Sequence, residues 1–260
     1  MTTLRERLLG DEVLYGTFAL ADSPVFVELL GVLGFDFIVI DCEHAPTGPY
    51  GASLEHMLRA ADAAHLAALV RVRANEPGQI GAALDAGAQG VVVPHITSAA
   101  EMRRAVAAAA WPPLGRRGAA PVTRAARYGA IPWVDYQRHN QPLVFPLIED
   151  PEGVMAIEAI LAVPGVGGVW FGAFDLGVAL GVTNPQAENA QVEAARDRVY
   201  AAAQAHKLPI AAFAWDAAHA RQLAMRQAHC IAISTDISLW GQALRELRAA
   251  IREDGHADRP

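Results

Sequence analysis

The sequence has few of the features that mark several common functional classes. Its two cysteines, Cys42 and Cys230, lie in apolar runs without a C-x-x-C pair, so we expect buried free thiols and neither a disulfide nor a cysteine-rich zinc site. No G-x-G-x-x-G or P-loop pattern occurs, which argues against a nucleotide-binding fold. The longest uncharged run, residues 159–174, is broken by proline and glycine, so no membrane-spanning helix is expected.

An excess of positive charge is also missing. The formal net charge is -7 and the sequence pI is about 5.7, which argues against nucleic acid as a partner because phosphate binding requires surplus lysine and arginine. Hydrophobic residues make up 53% of the chain and charged residues 19%, a composition typical of a globular protein. The polar, charged start is unlike a secretory signal, and we therefore expect a cytoplasmic protein.

What the sequence does contain is an alternation of short apolar runs with longer helical patterns. The runs are almost continuously apolar, which is typical of parallel strands covered on both faces. Eight strands are predicted at Tyr15–Leu20, Phe35–Asp41, Leu66–Val72, Gly90–Ile96, Leu143–Glu149, Val166–Gly172, Pro209–Trp215 and Cys230–Thr235. Eight helices are predicted at Pro24–Leu33, Leu54–Ala64, Pro77–Ala86, Ala99–Ala109, Glu152–Leu161, Gln191–His206, Ala217–Gln227 and Leu239–Ile251.

This order predicts an α/β fold, a single-domain (β/α)8 TIM barrel over residues 1–252 with a flexible tail over residues 253–260. An open, doubly wound sheet is the second possibility, although that fold usually carries a glycine-rich first loop. Residues 111–142 form a connection long enough to suggest a functional role. Four of its arginines, Arg116, Arg117, Arg124 and Arg127, are expected to face solvent, or to bind an anion or a neighbouring subunit.

Polar residues gather after the predicted strands, where barrel enzymes place their active sites. Either Glu149 or Asp175 alone would be interpreted as a helix cap, but that interpretation weakens when both lie at one barrel mouth beside His44 and Arg71. Two or three carboxylates with open coordination positions suit Mg²⁺ or Mn²⁺. No Schiff base is expected, because the single lysine, Lys207, precedes the seventh strand and so lies at the opposite face.

The run IDCEHAP at residues 40–46 resembles the D-x-E-H-A-P signature of the HpcH/HpaI aldolases, the class II pyruvate aldolases that include 4-hydroxy-2-oxoheptanedioate aldolase. The signature together with the paired Glu and Asp is a specific signal, whereas glycine and alanine matches are weak alone. The resemblance continues in order along nearly the whole chain, through LDAGAQGVVVP (84–94), PPLGRRG (112–118), the Ile148–Glu149 strand end, FGAFDLGVALG (171–181) and NPQ (184–186).

The resemblance implies a role for individual residues and an assembly. It implies a hexamer, a dimer of trimers, whose last helix is exchanged between subunits. Glu149 and Asp175 match the metal ligands, His44 the catalytic base, Asp85 its orienting partner and Arg71 the contact to the carbonyl or enolate oxygen. Substrate-binding positions are implied for Arg71, Phe174, Asp175, Asp41, Arg127 and Leu147, with the backbone N–H groups of Phe174 and Asp175 near the pyruvate carboxylate and with Asp41 and Arg127 at subunit contacts.

Three positions depart from the family pattern. Leu147 stands where members often have glutamine, Cys42 replaces a common glycine, and the usual G-P-x-D-L-S turn reads GAFDLG at residues 172–177. Since the matched ligands and base are retained, we expect an altered substrate range rather than lost activity.

The function expected from these residues is a metal-dependent aldol reaction. The enolate of pyruvate, or of a related 2-oxo acid such as hydroxypyruvate, would add to an aldehyde, and the reverse reaction would cleave a 4-hydroxy-2-oxo acid. One alternative is an acyl-CoA lyase or decarboxylase of the same superfamily, although no basic groove for CoA is evident. Another is a barrel that has lost catalysis and only binds a ligand.

Overall fold

Eight parallel strands form a closed barrel, in which each strand pairs with the next one along the chain and the last pairs with the first. The computed structural model describes residues 3–10, 12–48, 50–187 and 189–254. The TIM-barrel prediction is confirmed, and each strand lies within a few residues of its predicted place. The strands are β1 Leu14–Ala19, β2 Phe37–Asp41, β3 Ala67–Arg71, β4 Gly90–Val93, β5 Leu143–Ile148, β6 Val169–Phe171, β7 Ile210–Ala214 and β8 Cys230–Thr235.

Helices cover the outside of the barrel, and those in the described part of the chain are twelve α-helices with one short 3-10 turn at Arg127–Gly129. None of these helices is long and apolar enough to cross a membrane. The α-helices are α1 Leu4–Leu8, α2 Pro24–Val32, α3 Ala52–Ala63, α4 Pro77–Asp85, α5 Ala99–Ala109, α6 Trp133–His139, α7 Pro151–Met155, α8 Ile157–Leu161, α9 Ala173–Ala179, α10 Ala190–Ala205, α11 Ala217–Met225 and α12 Asp236–Asp254.

The predicted helices are all present, but the fifth is divided and three short ones were not predicted. Residues 152–161 form α7 and α8, which meet at Ala156, where the backbone leaves helical geometry (φ -93°, ψ 9°). Helices α1, α6 and α9 have seven residues or fewer, too few apolar positions to show a helical period. Helix α9 matters most for function, because it carries one of the predicted metal ligands.

Two apolar layers hold the barrel together. One fills the barrel itself, with side chains such as Phe37, Phe145 and Trp170, and the other lies between the strands and the surrounding helices. Helix α1 closes the N-terminal end, since Leu4 and Leu8 are buried in the interior layer. The N-terminal end of the barrel is therefore covered by α1.

The long connection at residues 111–142 folds onto the outside of the barrel. Trp111 and Tyr136 form a small apolar cluster within it, and the Arg117 guanidinium lies 4.6 Å from the centre of the Trp111 ring. Arg117 also donates to Asp85 at 2.6 Å, and Arg124 donates to the Ala86 carbonyl at 2.7 Å. These two arginines fasten the connection to the end of α4 instead of facing solvent freely.

The last helix leaves the barrel with little of its surface covered. It begins at Asp236, three residues before the predicted start, and its apolar side chains Trp240, Leu244, Leu247 and Ile251 are 41–65% exposed. The helix continues through Asp254, so residues 253 and 254 of the predicted tail are helical. Residues 255–260 of that tail lie outside the described residues.

We predict that the close approach of β1 and β2 at Gly16 tolerates no side chain. A Cβ there would lie 2.3 Å from the backbone oxygen of Phe37 and 2.7 Å from its ring. Gly16→Ala should therefore lower the free energy of unfolding by about 1–3 kcal/mol. A Cβ at Gly81 in α4 meets nothing within 4 Å. Gly81→Ala should therefore raise the free energy of unfolding by about 0.5–1 kcal/mol. Urea unfolding followed by circular dichroism measures both, and a Gly16→Ala variant as stable as wild type would contradict the prediction.

Candidate active site

A cavity of about 780 Å³ opens at the C-terminal mouth of the barrel. Six of the nine residues predicted for the site line it, and three do not: Asp41, Asp85 and Arg127. The six lining residues are His44, Arg71, Leu147, Glu149, Phe174 and Asp175.

Arg71 is held by a buried ion pair with Asp41. The register of the parallel pair β2 and β3 sets the two residues opposite each other, and the guanidinium donates to Asp41 through Nε at 2.9 Å and Nη2 at 2.8 Å. Asp41 is 0% exposed and also accepts from the backbone N–H of Glu43 at 3.0 Å. The Phe18 ring lies 5.1 Å from the Arg71 guanidinium carbon. Arg71 therefore presents a fixed positive charge to the cavity, while Asp41 is enclosed behind it.

Glu149 follows β5 and is almost fully buried. Its side chain is 3% exposed and accepts from the His95 backbone N–H at 2.9 Å. Burial raises the pKa of Glu149 to about 7, and the nearby charges of Asp175 and Glu43 act in the same direction, against the hydrogen bond from His95. The carboxylate thus lies where negative charge is unfavourable unless a cation is close.

Asp175 lies in the first turn of α9, directly after β6. The glycine between the strand and the helix, Gly172, gives Glu149 its space, because a Cβ there would lie 2.8 Å from the Glu149 Cβ and 3.2 Å from its Oε2. Phe174 beside it is 40% exposed, and its ring packs edge to face against Trp215 with centroids 5.8 Å apart. Leu147 is buried on the same side of the cavity.

Glu43 and His95, which lie outside the predicted set of site residues, complete the cluster. Glu43, mostly buried, lies 3.2 Å from Arg71 Nη1 and 3.7 Å from Nε2 of His44, whose side chain is 61% exposed. The His95 ring is 3.0 Å from Asp150 and 3.4 Å from Glu149, measured from Nδ1. Partial burial lowers the pKa of His95, but Asp150, Glu149 and Glu43 outweigh it and the net shift is upward.

Signals for both residues are present in the sequence. Glu43 is the glutamate of the D-x-E-H signature itself, and His95 follows the fourth strand. What could not be read from the sequence is the backbone of His95, whose positive φ of 53° turns its N–H toward Glu149.

Asp85 and Arg127 are not brought to the cavity of their own chain. Asp85 is the last residue of α4, so it lies toward the N-terminal face, where it pairs with Arg117. Arg127 is exposed in the 3-10 turn of the long connection. Within one chain the carboxylate next to His44 is therefore Glu43, not the predicted Asp85.

Comparison with known proteins identifies the family of the chain. The model of the HpcH/HpaI aldolase/citrate lyase family matches residues 14–243. The chain belongs to this family. The 5-keto-4-deoxy-D-glucarate aldolase of Klebsiella pneumoniae is 32% identical to it over 246 residues, 95% of each chain. Membership makes the protein a carbon–carbon lyase of the aldehyde-lyase type, as predicted.

Two solved structures of the family share the whole barrel. A HpcH/HpaI aldolase/citrate lyase family protein from Burkholderia cenocepacia is 36% identical with a TM-score of 0.89, covering 96% of this chain and 98% of that one. The citrate synthase SbnG is 28% identical with a TM-score of 0.87, covering 98% and 99%. Proteins similar to this chain thus include ones named as aldolases and one named as a citrate synthase.

We predict that Asp41 stabilises the fold through Arg71. Asp41→Asn removes the charge that faces the guanidinium and should lower the free energy of unfolding by about 3 kcal/mol, the low end for a broken buried pair because Glu43 remains. Asp62→Asn is the matched control, since Asp62 is 65% exposed and pairs with Arg124 at the surface. Asp62→Asn should lower the free energy of unfolding by less than about 1 kcal/mol. Equal losses for the two variants in urea unfolding would contradict this role of Asp41.

Proposed function

We propose that the protein is a metal-dependent class II aldolase that adds the enolate of a 2-oxo acid to an aldehyde. The observation that supports it most is the arrangement of Glu149, Asp175 and Arg71 around one cavity at the barrel mouth. Pyruvate or hydroxypyruvate is the proposed donor. In reverse, the enzyme would cleave a 4-hydroxy-2-oxo acid.

The residues present fit a divalent cation. Among the described residues, no group of three or more His, Cys, Asp or Glu side chains is arranged to hold a metal, so the protein offers the two carboxylates of Glu149 and Asp175. Mg²⁺ and Mn²⁺ are commonly bound in this way, with water and substrate oxygens in the remaining positions. A bound cation would withdraw electron density from the 2-oxo group and make the neighbouring methyl protons more acidic. Burial raises the pKa of Glu149, and a cation bound beside the carboxylate would favour its charged form.

Arg71 has a second electrostatic role in the proposal. Removal of a methyl proton from pyruvate moves negative charge onto the C2 oxygen, and a guanidinium held in place stabilises that charge without reorganising. The pair with Asp41 supplies the rigidity. We therefore assign Asp41 a positioning role instead of the direct substrate contact that the resemblance implied.

His44 is the proposed general base. It lines the cavity and extends from the loop after β2, and Glu43 beside it orients the ring within this chain. Imidazole is a common general acid and base in enzymes, because the same ring can accept a proton and return it. His44 would take the methyl proton of pyruvate, and after the new carbon–carbon bond forms it would return a proton to the former aldehyde oxygen.

The acceptor side of the cavity is unusually apolar and aromatic. Leu147, Phe174 and Trp215 line it; Leu147 departs from the family pattern, and Phe174 lies in the turn that departs from it at Ala173 and Gly177. The similarity to 5-keto-4-deoxy-D-glucarate aldolases supports a hydroxylated acid product, and these side chains would tune which aldehyde is accepted. The match to a citrate synthase keeps other enolate reactions, including those of acyl-CoA lyases, as the second candidate.

We also propose that the chain forms a homo-oligomer, with a hexamer as the expected assembly. The uncovered apolar stripe of α12 supports it, because such a stripe on an exposed helix is typical of a surface that packs against another copy. In such an assembly, Asp85 and Arg127 would approach a site only from a second copy. This would reconcile their implied roles with their distance from the cavity of their own chain.

One set of measurements distinguishes the proposed base, His44, from the proposed metal ligand, Glu149. His44→Ala should slow the exchange of pyruvate methyl protons into D2O by about 10²–10⁴-fold, the usual contribution of a positioned base, with metal affinity nearly unchanged. Glu149→Gln should weaken Mg²⁺ and Mn²⁺ binding, and excess metal should partly restore exchange. Chelation should abolish exchange in wild type. His56→Ala, an exposed histidine of α3, is the control and should change nothing.

Two outcomes would contradict the assignment. Metal rescue of His44→Ala but not of Glu149→Gln would mean that the base and the ligand are interchanged. Unchanged exchange in both variants would mean that the reaction takes place elsewhere.

The oligomer is tested by light scattering at micromolar concentration. We expect an assembly near six copies, and the double variant Leu244→Asp, Leu247→Asp should dissociate it because it places charge in the apolar stripe of α12. Gln242→Asp, on the opposite side of the same helix, should leave it intact. A wild-type protein that elutes and scatters as a monomer would refute the proposal.

A further inference from the structure

Aromatic side chains form a continuous run along the wall of the active-site cavity. Each ring packs edge to face against the next, with centroids 4.9–6.0 Å apart. In order, the rings that line the cavity are Trp170, Phe18, Phe213, Trp215 and Phe174. The first two are 2% and 6% exposed, so the run is anchored in the barrel interior. Because each ring is held by its neighbour, the outer rings keep a fixed orientation.

The two outermost rings, Trp215 and Phe174, form an aromatic corner that exposes apolar surface. Trp215 is 38% exposed and Phe174 is 40% exposed, and their planes meet at 72°. Aromatic rings prefer edge-to-face and offset-stacked contacts, so a third ring placed in the corner would contact both side chains favourably. Exposed apolar surface in a cavity is unfavourable in water, and a ligand that covers it regains that free energy.

The inner part of the run lies next to the proposed catalytic groups. The Arg71 guanidinium carbon is 5.1 Å from the centre of the Phe18 ring. Phe18 contacts Phe213, and Phe213 in turn contacts Trp215. An acceptor whose carbonyl reacts beside Arg71 would therefore direct an attached ring along this wall towards the aromatic corner. The cavity of about 780 Å³ holds such an acceptor together with pyruvate.

Charged side chains in the outer part of the cavity balance one another. Two arginines and two carboxylates line it there: Arg196, Arg226, Glu193 and Asp216. Glu193 forms ion pairs with both arginines, and Asp216 accepts from the His219 backbone N–H at 2.8 Å. Burial, followed by the charge of Arg196, lowers the pKa of His219, so this ring adds no charge near pH 7. The outer cavity thus has no surplus charge for a charged acceptor, and a neutral one suits it better.

We propose that the aromatic corner binds the ring of a neutral aryl aldehyde, an acceptor whose reactive end lies beside Glu149 and Asp175. The proposal rests on the aldolase function proposed above and adds the class of acceptor. With benzaldehyde, C3 of the pyruvate enolate bonds to the aldehyde carbon. The π electrons of the aldehyde C=O bond move to its oxygen, which takes up a proton, and the product is 4-hydroxy-2-oxo-4-phenylbutanoate.

Two aldehydes of similar size test whether the corner recognises an aromatic ring. Benzaldehyde carries a planar aromatic ring, whereas cyclohexanecarbaldehyde carries a saturated ring that cannot stack. The two differ in intrinsic reactivity, so the ratio of their kcat/KM values, with pyruvate as donor, is compared between proteins. Trp215→Leu keeps an apolar side chain but removes the ring. It should lower the ratio of benzaldehyde to cyclohexanecarbaldehyde by about 3- to 10-fold, the usual contribution of an aromatic contact.

A second variant and a control separate recognition from a structural role. Phe174→Leu should lower the same ratio, and it carries the test alone if Trp215→Leu does not fold. Val178→Ala is the matched control and should keep the ratio, because Val178 lies on the same helix as Phe174 but is 56% exposed and is not among the residues that line the cavity. An unchanged ratio in both aromatic variants would overturn the corner as a ring site.

The charge of the acceptor is tested with two substituted rings. Wild type should have a higher kcat/KM for 4-methylbenzaldehyde than for 4-formylbenzoate, because the carboxylate of the latter gains no surplus positive charge in the outer cavity. A higher value for 4-formylbenzoate would overturn the choice of a neutral acceptor.

Failure of the aldolase proposal can be told apart from failure of the aromatic corner. Wild type that does not exchange pyruvate methyl protons would remove the aldolase proposal. Binding of 4-fluorobenzyl alcohol, a neutral ring that does not react, is measured by fluorine NMR and still tests the corner in that case. Weaker binding to Trp215→Leu than to wild type and Val178→Ala would support the corner, and equal binding to all three would overturn it.

Discussion

The pairing of β8 with β1 closes the sheet, and the site depends on that closure. In a closed parallel barrel every strand ends at the same mouth, so Arg71 on β3 and Glu149 after β5 meet although they are distant in sequence. Asp236 fixes the junction, because it is fully buried and accepts the N–H groups of Leu20 and Ala21. An open sheet built from the same strands would set β1 and β8 at opposite edges and separate Phe18 from Thr235, which both line the cavity.

Charge balance at the mouth is the second constraint. Arg71 forms ion pairs with both Asp41 and Glu43. These two carboxylates largely balance its positive charge. Glu149 is left in a buried place with Asp175 nearby and no arginine of its own among the described ion pairs. Buried carboxylates without a counter-charge are costly, and the proposed divalent cation would supply that charge.

Much of the fold and part of the site could be predicted from the sequence. The strands were predictable because strands buried on both faces are continuously apolar, and polar residues at their ends follow from the topology. Short helices such as α9 carry no readable period, so the first turn that presents Asp175 had to be observed. Asp85 and Arg127 show another limit. A motif match identifies a position in the chain. It does not tell on which face of the barrel that residue lies, or whether it lies near the active site of its own subunit or of another.

Helix α1 illustrates a consequence for how the chain is made. It precedes every strand of the barrel in the sequence, yet the Leu4 N–H donates to Gln89, 85 residues later, and Arg5 donates to the carbonyl of Gln141, 136 residues later. Such long-range contacts form slowly, because distant parts of the chain must first come together. During translation the segment therefore waits undocked until more than half of the polypeptide has emerged. Helix α1, which closes the N-terminal end of the barrel, can therefore dock only after the residues up to Gln141 that hold it have been made.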